Sequence, residues 1–241
     1  MEASEPRSPE SRGPVERSKR YLDAVRAGDS KRARRRLEAI DADDLIGLTE
    51  DEQLAFWINT YNAATQDVLR ADPERFEDRR RFFSTPVVTV AGTELSLDTI
   101  EHGVLRRSRW KYGLGYLPNP FPSAFVRRHR VEALDPRIHF ALNCGAAACP
   151  AIAAYDPDAV DEQLDHATGT YLRSETVVED GTARVPRLML WYRGDFGGGS
   201  GIRRLLREHG VIDADATPGI RYREYDWSLA LDAFREEVGR P

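Results

Sequence analysis

Residues 49–71, "TEDEQLAFWINTYNAATQDVLRA", form the segment that decides the fold. Thr49 is followed three residues later by Glu52, which is the capping-box spacing of a helix start. Apolar side chains then recur at steps of three and four residues, the spacing of one helix face. These are Leu54, Trp57, Ile58, Tyr61, Ala64, Thr65 and Val68. The pattern predicts a helix that packs one face into the core.

Three amide side chains, Asn59, Asn62 and Gln66, follow the same spacing on an adjoining stripe. Asparagine has poor helix propensity because its amide competes for backbone hydrogen bonds. Its presence among large apolar residues indicates buried amides that have specific partners. Those partners are either loop backbone or a catalytic group or oxyanion that the amide orients.

The composition indicates a globular, soluble protein. Of the 241 residues, 41% are hydrophobic and 31% are charged, so we expect a disordered tail at 1–14 and a single globular domain over 15–241. The net charge of −5 argues against a nucleic-acid partner, because the basic footprint is missing. No apolar run is long enough to cross a membrane and no secretory signal is visible. We therefore expect a cytoplasmic protein with no membrane partner.

Short strands and helices follow the central helix. Residues 86–97 contain a β-branched run and an Ala-Gly turn, which predict a hairpin. Residues 175–186 predict a second hairpin around an Asp-Gly turn, and the terminal residues 226–238 predict a helix. The order lacks regular βα alternation, which favours an α+β class: a mostly helical single domain with short antiparallel hairpins and a small central sheet.

A helix is predicted to begin at Ser96 or Asp98. Within it, Asp98, His102 and Arg106 are spaced by four residues and therefore share one face. A carboxylate one turn before a histidine can fix the imidazole tautomer and raise its pKa. His102 is thus a candidate base.

Both cysteines of the chain lie in "IHFALNCGAAACPAI", residues 138–152. We expect a strand over 137–143, with His139 and Asn143 on one face. Cys144 follows the strand end. Cys149 precedes Pro150, and because proline favours the first helical position, this predicts Cys149 at a helix N-cap, where a thiolate is stabilised.

These residues supply the parts for thiol chemistry, which needs a nucleophile, a base and an oxyanion donor. Cys149 is the candidate nucleophile, His139 or His102 the base, and Asn59 or Asn143 the oxyanion or orienting group. The alternatives are a buried structural thiol pair, a redox pair and a zinc site. The four-residue gap between the cysteines fits neither the C-x-x-C redox spacing nor a zinc knuckle.

Five motifs in this order resemble the family catalogued as domain of unknown function 547, over about residues 45–230. They are "FWINTYNA", "LDTIEHGVLR", "DPRIHFALNCGAAACPAI", "LWYRGDF" and "YDWSL". The resemblance implies no settled activity. It adds Glu101 to the candidate residues and also marks Tyr61, Tyr192 and Asp195. The family's usual form has a serine before the second cysteine and a second proline after it, and here these positions are Ala148 and Ala151.

The leading functional hypothesis is a cysteine-histidine thiol hydrolase or acyl transferase that acts on an unknown small molecule or peptide. The second is a non-catalytic interaction domain whose core is held by polar hydrogen bonds. The third is a zinc-stabilised domain; otherwise no cofactor is expected. The oligomeric state is not predicted.

Overall fold

The structure, a computed structural model, describes residues 13–235. The predicted tail lies outside the described residues up to residue 12, whereas Pro14 already begins a helix. The α-helices are α1 (Pro14–Arg26), α2 (Lys31–Glu38), α3 (Ala42–Ile46), α4 (Glu50–Ala71), α5 (Arg79–Ser84), α6 (Ala124–His129), α7 (Val160–Glu175), α8 (Leu188–Trp191) and α9 (Gly198–Glu208). The strands are β1 (Pro86–Val90), β2 (Thr93–Ser96), β3 (Val177–Glu179), β4 (Thr182–Val185) and β5 (Gly219–Tyr222). A π-helix spans Thr99–Leu105, and 3₁₀ helices span Pro73–Phe76 and Pro136–Phe140.

Helix α4 is the centre of the fold. The predicted capping box of Thr49 and Glu52 is confirmed. From residue 54 to residue 66 every side chain is buried, because α1, β1, the π-helix and α7 pack around the helix. A helix buried all round is typical of a core helix rather than of a surface helix with one apolar face.

The strands form two small sheets rather than one central sheet. β1 and β2 pair antiparallel, as the Ala-Gly turn predicts. β3 and β4 form the second predicted hairpin, and β5 joins β4 in parallel. The mostly helical α+β class is therefore confirmed.

Two hydrophobic clusters make up the core. The larger surrounds α4 and includes α1, the first hairpin and the π-helix. The smaller lies among β4, α8, α9 and the C-terminal half of α7. Helix α7 links the two, since Leu164 belongs to the first cluster and Leu172 to the second.

The predicted strand over 137–143 is wrong. The side chain of Asp135 accepts a hydrogen bond from the backbone N–H of Arg137, and Pro136 occupies the first helical position, so a 3₁₀ helix begins here. The backbone N–H groups of Ala141 and Leu142 then bond to Ile138 O. The run of apolar residues resembled a strand because all of it is buried, but it has no neighbouring strand to pair with.

The predicted helix after Cys149 and the terminal helix are also wrong over the described residues. Residues 226–235 instead run beside the cysteine loop (residues 144–152), and isolated bridges join Ala146 to Leu229 and Ile152 to Phe234. The Ile152 N–H donates to Ala233 O at 2.7 Å. These long-range hydrogen bonds satisfy the backbone groups that either helix would have used. Cys149 is therefore not at a helix N-cap.

Within residues 13–235, no helix combines the length and the apolar composition that a bilayer crossing requires.

Candidate functional site

Most of the predicted chemical residues meet at one cleft of 390 Å³. Its walls come from the π-helix, the segment 136–144, α8, the C-terminal segment and an exposed stretch, residues 110–121, that we call the aromatic loop. The lining side chains include Tyr61, Asp98, Glu101, His102, Lys111, His139, Cys144, Pro150, Trp191, Tyr192, Tyr225 and Trp227. A larger surface cavity of 680 Å³, between α4, α7 and α9, contains none of the predicted site residues.

The helix that carries Glu101, His102 and Arg106 has the wider π turn. The Arg106 N–H donates to Glu101 O at 2.7 Å, five residues back. The predicted neighbours on this helix do touch. The Asp98 carboxylate lies 3.4 Å from His102 Nε2, and Arg106 Nη1 lies 2.9 Å from His102 Nδ1. Such turns are rare and frequently occur at functional sites.

The tautomer of His102 follows from these contacts. A guanidinium can only donate, so Nδ1 of His102 accepts from Arg106 and the proton sits on Nε2, facing Asp98. Lys111 Nζ bonds both oxygens of Asp98 at 2.8 Å. Both ring nitrogens of His102 therefore already have a polar partner.

Glu101 is a buried carboxylate held by two tyrosines. Tyr192 donates to Oε1 at 2.6 Å and Tyr61 donates to Oε2 at 3.2 Å. Burial raises the pKa of Glu101, but the imidazoles of His102 and His139, the hydroxyl of Tyr192 and the guanidinium of Arg106 together lower it below the ordinary value. Glu101 is thus an ionised hydrogen-bond acceptor in the cleft wall.

His139 forms a buried dyad with Asp195. Its Nε2 lies 2.9 Å from Asp195 Oδ2, and the same oxygen accepts from Arg106 Nε at 2.7 Å. Because the carboxylate can only accept, the His139 proton sits on Nε2 and the lone pair on Nδ1. Burial lowers the pKa of His139, although Asp195 opposes this shift. The imidazole stacks on the Tyr192 ring at 3.8 Å between centroids.

The two cysteines are free thiols in mutual contact. Their Sγ atoms lie 2.6 Å apart, and Cys149 Sγ also accepts from the Cys144 N–H at 3.0 Å. The Tyr225 hydroxyl lies 3.2 Å from Cys149 Sγ and 3.5 Å from Cys144 Sγ. Among the described residues, neither sulfur forms a hydrogen bond with an imidazole. Cys144, His102 and His139 line the cleft, whereas Cys149 lies next to it, in contact with the lining residues Cys144 and Tyr225.

The contacts around the two thiols shift their pKa values in opposite directions. Burial raises the pKa of Cys149, but hydrogen bonds from the Cys144 thiol, the Tyr225 hydroxyl and backbone N–H groups lower it below that of an ordinary cysteine. The hydrogen bond to Cys149 raises the pKa of Cys144, and burial adds to this. Cys149 is therefore the more acidic of the two thiols.

The side-chain amides of the buried asparagines form hydrogen bonds with the backbone rather than with a catalytic group or an oxyanion. Asn59 makes two hydrogen bonds, both at 2.8 Å, to the backbone of Tyr155. Asn62 bonds the backbone of Ala141 and of Asn143. The Asn143 side chain accepts from the Gly145 N–H and donates to Pro150 O, closing the cysteine loop at its base. The NH2 group of each already donates to a backbone carbonyl, and neither Asn59 nor Asn143 is among the residues that line the cleft.

Tyr225 is the main residue of this site that sequence reasoning missed. It lies 76 residues from the thiol it contacts, and no local spacing rule connects the two. Trp191 and Trp227, which pack around it at 4.9 Å and 4.6 Å between ring centroids, were missed for the same reason. The motifs "LWYRGDF" and "YDWSL", which carry the family resemblance, contain these three residues, but nothing in either motif pointed to a contact with a thiol.

The zinc-site hypothesis lacks a set of ligands among the described residues. Over residues 13–235, no group of three or more histidine, cysteine, aspartate or glutamate side chains is placed to hold a metal ion. A zinc site with two cysteines needs at least one further nitrogen or oxygen ligand.

Gly194 couples the aromatic loop to the His139 dyad. A Cβ on Gly194 would lie 2.5 Å from Gly115 C and 2.6 Å from Tyr116 N. Because these are backbone atoms, we expect Gly194→Ala to lower the free energy of unfolding by about 1–3 kcal/mol, measured by chemical denaturation. Gly199→Ala is the control, since its Cβ meets only side chains, at 3.4 Å or more. Equal losses in both variants would contradict the prediction.

A family comparison covers much of this site. The family model described as "Protein of unknown function, DUF547" matches residues 45–172, just over half of the chain. No curated protein and no solved structure gives a significant match. The matched range holds α4, the π-helix, His139 and both cysteines, whereas Asp195 and Tyr225 lie beyond it. On this match, the chain belongs to the DUF547 family, whose function is unknown.

Proposed function

We propose that the protein is a cysteine-dependent hydrolase or acyl transferase whose nucleophile is Cys149. The observation that carries this proposal is the set of donors around Cys149 Sγ: the Cys144 thiol, the Cys144 N–H and the Tyr225 hydroxyl. Such donors stabilise a thiolate without an adjacent base. Cys144, Pro150 and Tyr225, which border this sulfur, all line the cleft.

The second chemical role in this proposal belongs to His139. The thiolate attacks a carbonyl carbon and forms a thioester, while the bond to the alcohol, thiol or amine of the substrate breaks and this leaving group takes up a proton. A water or an acceptor nucleophile, which loses its proton to a base, then attacks the thioester, releases the acyl group and restores the thiolate. That second step needs a general base. We assign this role to His139 rather than to His102, because Asp195 holds and orients Nε2 of His139, whereas both ring nitrogens of His102 already contact charged side chains.

The oxyanion donor assigned by the proposal is the Tyr225 hydroxyl. Asn59 and Asn143 were the expected donors, but their amides are bound to backbone. The Tyr225 hydroxyl lies 3.2 Å from Cys149 Sγ in the cleft wall. A donor beside the nucleophile can hold the negative charge that develops on the carbonyl oxygen.

The cleft favours a compact acyl group with an apolar part. Its volume of 390 Å³ fits a small molecule or one side chain of a peptide. Phe83, Leu114, Trp191 and Trp227 supply apolar wall, and Lys111 supplies a cation. The substrate class is therefore an apolar acyl ester, thioester or amide.

Alkylation by iodoacetamide as a function of pH tests the proposal. We expect Cys149 to react at neutral pH, with a midpoint below the value of about 8.5 typical of free cysteine, and Cys144 only at higher pH. Peptide mass spectrometry assigns the labelled residue. Tyr225→Phe removes one hydrogen bond to the thiolate and should slow alkylation of Cys149 at pH 7 by about tenfold.

Tyr116→Phe is the matched control, because its hydroxyl is remote from the thiols on the exposed aromatic loop. The proposal fails if Cys149 in the folded protein reacts no faster than glutathione at pH 7. It also fails if Cys149→Ala lowers only the melting temperature while turnover of a panel of apolar esters is unchanged. That second result would favour the non-catalytic interaction domain.

A thiol redox pair is a second candidate, favoured by the 2.6 Å contact between the sulfurs. Oxidation of both thiols to a disulfide would pass two electrons and two protons to a disulfide oxidant such as oxidised glutathione. Equilibration in glutathione buffers, followed by alkylation, measures this reaction. A redox enzyme predicts a reversible loss of both alkylation sites and loss of disulfide exchange in Cys144→Ser as well as Cys149→Ser.

A further inference from the structure

The aromatic loop exposes an unusual concentration of apolar side chains. The described residues expose ten large hydrophobic side chains, and six of them lie in residues 110–121. These are Trp110, Tyr112, Leu114, Tyr116, Leu117 and Phe121, with exposed fractions from 46% to 88%. A contiguous exposed cluster of this kind marks an interaction surface, whereas scattered single residues do not.

The loop has a defined shape. The Trp110 N–H donates to Leu117 O at 2.9 Å and the Asn119 N–H donates to Ser108 O at 2.7 Å, so the loop is pinned at its base. Gly194 N–H donates to Leu114 O at 2.7 Å and holds the tip against the cleft. The exposed side chains therefore stand on a loop whose backbone is held by hydrogen bonds at its base and at its tip.

The Lys, Arg, Asp and Glu residues in and next to the aromatic loop along the chain are all basic. From residue 102 to residue 131 the chain contains seven lysines and arginines and no aspartate or glutamate, although its net charge is −5. Three arginines bond directly to this segment: Arg109 to Tyr116 O, Arg127 to Pro122 O and Arg130 to Ser108 Oγ. None of these three, nor Arg107 and Arg128, makes a salt bridge with a described carboxylate.

We propose that the aromatic loop and its arginines dock the protein peripherally onto an anionic lipid surface. Tryptophan and tyrosine favour the headgroup region because their rings are apolar and carry a polar end. The arginines then meet lipid phosphates and acidic headgroups. The sequence predicted no membrane partner from the lack of a long apolar run, but peripheral docking requires none.

This inference does not rest on the proposed function, although the aromatic loop forms part of the cleft wall. Tyr112 and Leu114 of the loop also line the cleft. A docked loop would therefore open the cleft towards the lipid surface.

Co-sedimentation of the full chain with phosphatidylcholine vesicles, with and without phosphatidylserine, tests the proposal. We expect binding to the phosphatidylserine vesicles that weakens as salt is added. Leu117→Ser/Phe121→Ser should weaken that binding by at least about tenfold. Arg127→Gln/Arg128→Gln should weaken it by about fivefold for each charge. Neither pair of residues lines the cleft.

Two matched controls keep the test specific. Ile46→Ser/Val178→Ser removes exposed apolar side chains elsewhere, and Arg32→Gln/Arg35→Gln removes exposed charges from α2. Both should leave binding unchanged, and circular dichroism checks that every variant is folded. The proposal is overturned if phosphatidylserine vesicles do not bind, or if the controls weaken binding as much as the loop variants do. It is equally overturned if the loop variants abolish only self-association, which would make the loop an interface between copies.

Discussion

Replacing Asp195 by alanine is expected to lower the free energy of unfolding by about 3–5 kcal/mol. Asp195 Oδ2 accepts from both Arg106 and His139, and the side chains of Arg106 and Asp195 are fully buried. Removing the carboxylate leaves the buried Arg106 charge without its ion-pair partner. The contacts that remain to the guanidinium include His102 Nδ1 at 2.9 Å and the Tyr192 ring, 4.4 Å from its centroid, and these contacts are weaker than the ion pair.

Urea denaturation of the variant and the parent measures this loss. Glu208→Ala is the matched control, because its partner Arg204 and Glu208 itself are mostly exposed and the pair is worth little. Arg106→Met/Asp195→Leu removes both charges and should recover most of the stability. A loss below about 1 kcal/mol in Asp195→Ala would show that water or a local rearrangement compensates the buried Arg106 charge.

The same pair makes stability depend on pH. Burial raises the pKa of Asp195, but hydrogen bonds from His139 and Arg106 and their charges lower it below the ordinary value. A group whose pKa is lowered on folding stabilises the protein above its unfolded pKa, and this contribution is lost as the pH falls through the folded pKa. We therefore expect the protein to unfold in acid, below about pH 4. The stability of Asp195→Asn should depend less on pH in that range.

Asn143→Ala is expected to lower the free energy of unfolding by about 3 kcal/mol or more. The Asn143 side chain bonds the Gly145 N–H at 2.9 Å and Pro150 O at 2.8 Å, across the loop that carries both cysteines. Both backbone groups belong to buried residues and would lose their partner. Gly145 also has a φ of +91°, so the loop depends on this hydrogen bond to hold a turn that few residues adopt.

The readouts for Asn143→Ala are the denaturation midpoint and the alkylation profile of Cys149. A looser loop should move the Cys144 N–H away from Cys149 Sγ and shift alkylation to higher pH. Asn119→Ala is the matched control, since the Asn119 side chain is exposed and accepts one hydrogen bond, from the Phe121 N–H. If Asn143→Ala is destabilised but its alkylation profile is unchanged, the fold of this loop does not control the pKa of the Cys149 thiol.

Local rules were sufficient for the elements that local chemistry controls. The capping box at Thr49 and the Ala-Gly and Asp-Gly turns operate over a few residues, and all three elements are present. The contacts of His102 with Asp98 and Arg106 also follow from spacing along one helix. The same rules predicted an ordinary helix there, because they do not distinguish a π turn from an α turn.

The errors occurred where long-range pairing outweighed local preference. Cys149-Pro150 has the local pattern of a helix start, but Ile152 bonds Ala233, far along the chain. The terminal residues satisfied a helical pattern as well, yet over 226–235 they lie along the cysteine loop instead. An apolar run such as 137–143 gives equal support to a strand and to a buried turn, since both bury every side chain.

The sequence by itself determined the mostly helical α+β class, the family, and the presence of a thiol, imidazole and carboxylate set. Only the tertiary structure decided which of these groups act together. It paired His139 with Asp195 across 56 residues and Glu101 with Tyr192 across 91, and it placed Tyr225 beside Cys149. In the tertiary structure, the side-chain amides of Asn59 and Asn143 also form hydrogen bonds with backbone groups. The reason is physical: caps, turns and periodicity depend on neighbours within a few residues, whereas the pKa of a buried thiol depends on whichever distant side chains pack against it.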